Sequence, residues 1–190
     1  MHQSVEANSI QPVFILIGPP AVGKSSTSKA LAAKYVKSIH IPVDDIRNMV
    51  VSGVVLPSAE WNPELVQQIS LARESAIHMA RLYQKAGFAV VIDDFFDPHR
   101  LREYQDFLHE PRINRFVLFP KQDAAHARNA QRAGNDLGRG YIDQGIHEVY
   151  QQLNLMIDDL RGDGWIVLDT TDLSIEETVL EILQHSEVHS

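Results

Sequence analysis

The stretch Phe14–Leu31, "FILIGPPAVGKSSTSKAL", decides the reading of this chain. With Val13 before it, it opens on the branched apolar run Val13–Ile17, the pattern of a strand buried on both faces of a parallel sheet. A turn rich in glycine and proline follows. Lys24 and Ser25 then lead an alanine-rich run that predicts a helix over 24–35. Gly18, Gly23, Lys24 and Ser25 thus stand at G-x-x-x-x-G-K-[ST] spacing, between a strand and a helix as the pattern requires.

That arrangement is a P-loop, and its chemistry follows from its backbone. The glycines let the segment Gly18, Pro19, Pro20, Ala21, Val22, Gly23 curl so that N–H groups converge on phosphate oxygens. The helix N-terminus, with Ser26 in its first turn, adds partial positive charge on the same side. Lys24 is expected to reach the β- and γ-phosphates, and Ser25 to offer its hydroxyl to a magnesium ion. The expected ligand is a nucleoside triphosphate, read as ATP with Mg2+.

Outward from the loop, strand and helix patterns alternate. "SIHIPV" (Ser38–Val43) predicts a second strand that delivers Asp44 and Asp45 at its end. Asn62 and Pro63 read as an N-cap and first-turn proline. Leu65, Ile69, Ala72, Ala76 and Tyr83 then recur at helical spacing up to Gly87. "FAVVI" (Phe88–Ile92) and "RFVLF" (Arg115–Phe119) predict strands three and four, separated by a helical pattern in "PHRLREYQDFLH". A helix over 123–133, a loop over 134–140, a helix over 142–160 and a strand at Trp165–Leu168 follow. Ser174 and Glu177 form a capping-box pattern ahead of a last helix. The alternation predicts an α/β protein, a three-layer α/β/α P-loop NTPase fold with a five-stranded parallel sheet and a small helical lid.

Composition bounds the rest. The 190 residues suit one domain, expected over 12–184, with a lid at about 128–145 and polar ends over 1–11 and 185–190. The 25 acidic against 17 basic residues give a net charge of −8, so attraction to a long polyanion or an anionic membrane requires a local basic patch. Cysteine is absent, which removes disulfides and thiolate zinc sites, and the nine histidines show no metal-binding pattern. The first residues lack a basic and an apolar region, and no apolar run reaches spanning length. The expected location is therefore the cytoplasm.

A P-loop alone serves switches, motors and kinases. A GTPase switch carries N-K-x-D and, after its third strand, D-x-x-G. This chain has no Asn-Lys pair and continues its third strand with "DDFFDP". Mechanical ATPases carry additional helical subdomains for which the length leaves little room. Phosphoryl transfer fits better. "PVDDIR" sets a carboxylate at the carboxyl edge of the sheet, where ligands bind in open α/β folds, able to take a proton from a hydroxyl. Asp93 ends the third strand. Arg128 and Arg132, one helical turn apart in "ARNAQR", are suited to clamp developing charge when a loop closes.

On the P-loop, "DDIR", "ARNAQR" and "YIDQGIHEVYQQL", the chain over about 13–183 resembles the P-loop small-kinase group. That group includes adenylate-kinase-like enzymes, chloramphenicol phosphotransferase and zeta-toxin types, and the kinase domain of polynucleotide kinases. The resemblance implies that Asp44 is general base toward the acceptor hydroxyl, with Asp45 as competing candidate, and that Arg47 helps hold the acceptor. It further implies that Asp93 supports magnesium, and that Arg128 and Arg132, with Arg139 behind them, touch adenine and phosphates. Thr170 and Thr171 in "LDTTD" then line the base pocket, while Asp94 caps or turns the chain. The expected activity is transfer of the γ-phosphate of Mg-ATP to a hydroxyl of a small molecule. A 5′-hydroxyl polynucleotide end and a regulatory ATPase without acceptor are the alternatives. Neither the acceptor's identity nor the oligomeric state is written in any motif.

Overall fold

Every residue of Val13–Ile17 has 0% exposure, as a run apolar on both faces requires. The computed structural model containing it describes residues 10–55, 62–96, 101–133 and 138–188, except the side chains of residues 101, 102, 132, 133, 139, 141, 187 and 188. Within these, β1 (Val13–Ile17), β2 (Ser38–Pro42), β3 (Ala89–Asp93), β4 (Ile113–Leu118) and β5 (Ile166–Leu168) form one sheet. Its order is β2-β3-β1-β4-β5, and every pair is parallel.

Alternation along the strands builds two cores. Val13, Ile15, Ile17, Ile41, Val90 and Ile92 pack against α3 (Pro63–Lys85) and α5 (Gly138–Gly162). Phe14, Leu16, Val91, Phe116 and Leu118 pack against α1 (Lys24–Ala32) and α6 (Ile175–Val188), with Ala125 of α4 (Gln122–Ala133) in the same cluster. This is the expected three-layer α/β/α arrangement with five parallel strands.

The long helix begins as its sequence predicts. The Asn62 side chain accepts from the Leu65 N–H at 2.8 Å, and Pro63 occupies the first turn where no N–H is needed. Leu65 and Ile69 are 1% exposed, and each such buried side chain contributes about 1.5–3 kcal/mol. The α6 capping box is also present: Ser174 N–H donates to Glu177 Oε2 at 2.8 Å, and Glu177 N–H to Ser174 Oγ at 3.2 Å.

Four details differ from the sequence reading. The stretch after β3 is not one helix: its described part folds into 3-10 turns at Leu101–Tyr104 and Phe107–His109. Tyr104, which ends the first turn, and Phe107, which begins the second, are both buried. Helix α1 stops at Ala32 rather than Tyr35. Helix α5 starts at Gly138, inside the expected loop, whose residues 134–137 lie outside the described residues together with Asp97 and Pro98. Helix α6 runs to Val188, so residues 185–188 continue a helix instead of forming a tail. At the other end the anchoring starts at Gln11, whose carbonyl accepts from Gln84 at 2.7 Å, while residues 1–9 lie outside the description.

Candidate nucleotide and phosphoryl-acceptor site

The chain leaves the carboxyl end of β1 through Gly18, whose φ of +151° suits glycine, and a Cβ there would meet the Leu118 carbonyl oxygen at 2.4 Å. Ala21 at φ +60° and Gly23 at φ +96° are left-handed. A non-glycine residue held in that region costs about 1–2 kcal/mol, a strain that collects at ligand-binding turns. Gly23 is the residue before α1, and its carbonyl accepts from Thr27 N–H at 2.9 Å, so the loop feeds straight into the helix N-terminus.

Lys24 folds over this loop, donating to the carbonyls of Pro19 at 2.8 Å and Gly18 at 3.1 Å. Ser25 Oγ donates to Asp93 Oδ1 at 3.2 Å. A hydroxyl and a carboxylate side by side at a helix N-terminus are hard oxygen donors of the kind magnesium takes. The pair thus fits the group that the P-loop implies.

These residues line a cavity of about 830 Å³ that also reaches Asp44, Asp45, Arg47 and Asn48 on one flank and Arg128, Ile142, Thr170, Ser174 and Thr178 on the other. Its size falls within the range of small-ligand sites. On the first flank α2 (Val43–Arg47) carries Asp44 and Asp45 in its first turn, without a side-chain capping bond. Asp44 is 57% exposed, while the Arg47 guanidinium behind it is 8% exposed and meets Asp44 Oδ1 at 3.5 Å. Among the described residues, the Arg47 Nε and Nη1 are buried without a hydrogen-bond partner.

On the second flank Arg128 ties the P-loop to the turn after β5. It donates to the Val22 carbonyl at 3.1 Å and the Thr170 carbonyl at 2.6 Å. Thr170 lines the cavity, whereas the Thr171 hydroxyl accepts from Lys121 N–H at 2.7 Å and donates to Asp169. The Thr171 hydroxyl and N–H, both donating to Asp169 Oδ1, hold the Asp169 carboxyl below its usual range. Gly145 of α5 faces Pro20, and a Cβ built there would lie 3.7 Å from Pro20 Cγ, ordinary van der Waals contact.

The structure therefore gathers Gly18, Pro20, Ala21, Val22, Gly23, Lys24, Ser25, Ser26, Asp44, Asp45, Arg47, Asp93 and Arg128 in one place, with Pro19 accepting from the lysine. The side chains of Arg132 and Arg139 lie outside the described residues. Asp94 does turn the chain, accepting from Phe95 N–H at 2.8 Å, but its other oxygen enters a buried network. Arg73 Nε donates to Asp94 Oδ2 at 2.6 Å and Tyr104 Oη donates to the same oxygen at 3.1 Å. Burial pushes the Asp94 carboxyl up even against the lowering effect of Arg73. Sequence reasoning missed Arg73 and His40. Arg73 interrupts the apolar stripe Ile69, Ala76, Ala80 at helical spacing, and His40 breaks the strand "SIHIP", and those interruptions were the available signals.

A family profile described as the AAA domain matches residues 13–156 of the chain. The chain belongs to the AAA domain family. The match takes in the P-loop, α2, α3 and most of α5, so the site of this AAA domain lies within the matched span, apart from the turn after β5 and α6. No curated protein matches the chain.

Among solved structures, the AAA domain is similar to shikimate kinase from Acinetobacter baumannii in complex with shikimate. The TM-score is 0.65 at 15% identity, covering 95% of this chain and 95% of that one. It is similar to the tunicamycin resistance protein of Deinococcus radiodurans, with TM-score 0.61, 15% identity and coverage of 92% and 95%. It is similar also to a gluconokinase from Sinorhizobium meliloti 1021, with TM-score 0.58, 14% identity and coverage of 95% and 94%. At these identities the likeness establishes the fold, that of the P-loop small kinases. Among the described residues no helix is long and apolar enough to cross a membrane.

Proposed function

We propose that this AAA domain transfers the γ-phosphate of Mg-ATP to a hydroxyl of a small molecule. The observation that carries this reading is the placement of Asp44, exposed and backed by the buried Arg47, on the same cavity as Lys24 and Ser25. The loop amides and Lys24 hold the phosphates, and Arg128 frames the nucleotide side. Ser25 and Asp93 would hold magnesium, which when bound would supply positive charge beside the phosphates. Asp44 accepts the hydroxyl proton, while Arg47 orients its carboxylate and attracts acceptor oxygens. Catalysis then rests on positioning and electrostatics.

The charges lining the cavity support a small acceptor over a polyanion. Among the described lining residues, Lys24, Arg47 and Arg128 face Asp44, Asp45 and Asp93, three cations against three carboxylates, so the described lining carries no net positive charge to attract a polyanion. The nearly buried Arg47, met by one carboxylate at 3.5 Å, favours acceptors that bring an acidic group near the hydroxyl.

The test is ATP turnover with magnesium against pools of hydroxy acids, sugar phosphates, neutral polyols, antibiotics and 5′-hydroxyl oligonucleotides, for the wild type and Asp44→Asn. Stimulation by a small-molecule pool, with kcat reduced about 10²–10⁴-fold in the variant and ATP affinity within a few-fold, is expected. Turnover that no pool raises and Asp44→Asn leaves unchanged refutes the phosphotransferase reading in favour of a regulatory ATPase. Stimulation by oligonucleotides alone refutes the small-molecule acceptor.

A further inference from the structure

We propose that His40 is a positioning residue for the divalent cation, acting through Asp93; the proposal rests on the nucleotide-binding reading above. In β2 the isoleucines Ile39 and Ile41 face α3 and its core. His40 belongs to the opposite face, beside Val91 and two residues along the parallel register from the Pro42–Asp93 pair. That face is the one α1 covers, with Val91 packed among residues of α1 and α6. An imidazole there, 12% exposed, sits where an apolar residue would ordinarily pack, and such a polar group is retained at a cost unless it is hydrogen-bonded.

Its partner is the carboxylate that faces the P-loop serine. His40 Nε2 bonds Asp93 Oδ2, and Asp93 Oδ1 accepts from Ser25 Oγ at 3.2 Å. A carboxylate only accepts hydrogen bonds, so Nε2 carries the proton and donates it. The two oxygens of Asp93 therefore have different work. One is pinned by a ring fixed in the strand, and this leaves the other turned toward the hydroxyl at the start of α1. Asp93 is 7% exposed in its side chain and ends β3, so the imidazole bond fixes the last free torsion of the group. Side chains that orient the ligands of a metal in this way change its affinity about 10–100-fold when removed. Nucleotide binding by the loop amides and Lys24 does not pass through this contact.

The variants His40→Leu and His40→Gln separate these roles. Leucine fills the space without a donor, and glutamine restores an N–H at a similar reach. Free Mn2+ is titrated by electron paramagnetic resonance against each protein saturated with a non-hydrolysable ATP analogue. Binding of the same analogue is measured separately in EDTA, and thermal unfolding reports folding. His40→Leu is expected to raise the Mn2+ Kd about 10–100-fold, with metal-free analogue affinity within twofold, and His40→Gln to recover most of the loss. A Mn2+ Kd within threefold of wild type in a folded His40→Leu overturns the proposal. So does an equal loss of metal-free analogue affinity, which makes His40 a support of the loop as a whole. If His40→Leu does not fold, failure of a folded His40→Gln to bind Mn2+ better than Asp93→Ala overturns it. A wild type that binds no analogue under any condition overturns both this proposal and the nucleotide-binding reading.

Discussion

Arg73→Leu tests the most deeply buried charge pair of the molecule. Arg73 and Asp94 are both 0% exposed in their side chains and 2.6 Å apart. The guanidinium also lies 5.0 Å from the Phe95 ring centre and 3.5 Å from Glu103 Oε2. Leucine fills part of the space but leaves the Asp94 carboxylate buried opposite an apolar side chain. Breaking a buried pair from one side costs about 3–5 kcal/mol. For a chain of this length each kcal/mol lowers Tm by about 2–4 °C, giving a drop of roughly 6–20 °C.

The pH dependence has a defined sign. Burial already raises the Asp94 carboxyl above its ordinary value, and Arg73 supplies the largest opposing effects. Removing Arg73 raises it further. A carboxyl raised on folding favours the native state most below its unfolded pKa, and that contribution is lost as pH rises through the folded value. The deficit of Arg73→Leu is therefore largest near neutral and alkaline pH and shrinks as pH falls. Urea and thermal unfolding of the wild type, Arg73→Leu, Asp94→Asn and the double variant, at several pH values, measure this. The double variant is expected to recover stability over Arg73→Leu, because it carries no buried unpaired charge. A cost of Arg73→Leu below about 1 kcal/mol, or a deficit that does not change with pH, refutes the reasoning.

Two other substitutions follow from the same coordinates. Gly18→Ala places a methyl group 2.4 Å from the Leu118 carbonyl, so strands β1 and β4 must part, at a cost of about 1–3 kcal/mol. A Tm drop of roughly 2–12 °C with weakened ATP binding checks it. Asn62→Ala removes the cap of α3 at the Leu65 N–H and should lower stability by about 1 kcal/mol without changing ATP affinity, which calorimetry and nucleotide titration measure together.

Local chemistry made the P-loop, the strands and the α3 start legible. Glycine positions dictate the loop's backbone, β-branched runs dictate buried strands, and Asn62-Pro63 satisfies the first N–H groups of a helix by itself. Asp44 and Asp93 were legible because the carboxyl edge of a parallel sheet converges on one cleft, whereas Arg47 came from the family resemblance of "DDIR". The network of Arg73, Asp94 and Tyr104 was not, since its members come from three segments and only the packing of α3 onto the turns after β3 joins them. His40 was hidden for the same reason: its role depends on which face of β2 α1 covers. The short turns at Leu101–Tyr104 escaped a periodicity argument, because a spacing of three over so few residues is shared by α-helices and tighter turns.

The strand order β2-β3-β1-β4-β5 sets β1 on the midline of the site. Among the described residues, those lining the cavity on the Asp44 side come from residues 44–48, and those on the Arg128 side from residues 128–178. On the proposed phosphoryl-transfer reading, the donor and recipient ends of the cleft are encoded in separate stretches of chain, joined through the P-loop and Asp93. Inheritance can rewrite one stretch without disturbing the frame of the other. If the proposed transfer holds, a scaffold divided in this way lets a lineage change its acceptor while keeping the same phosphoryl donor.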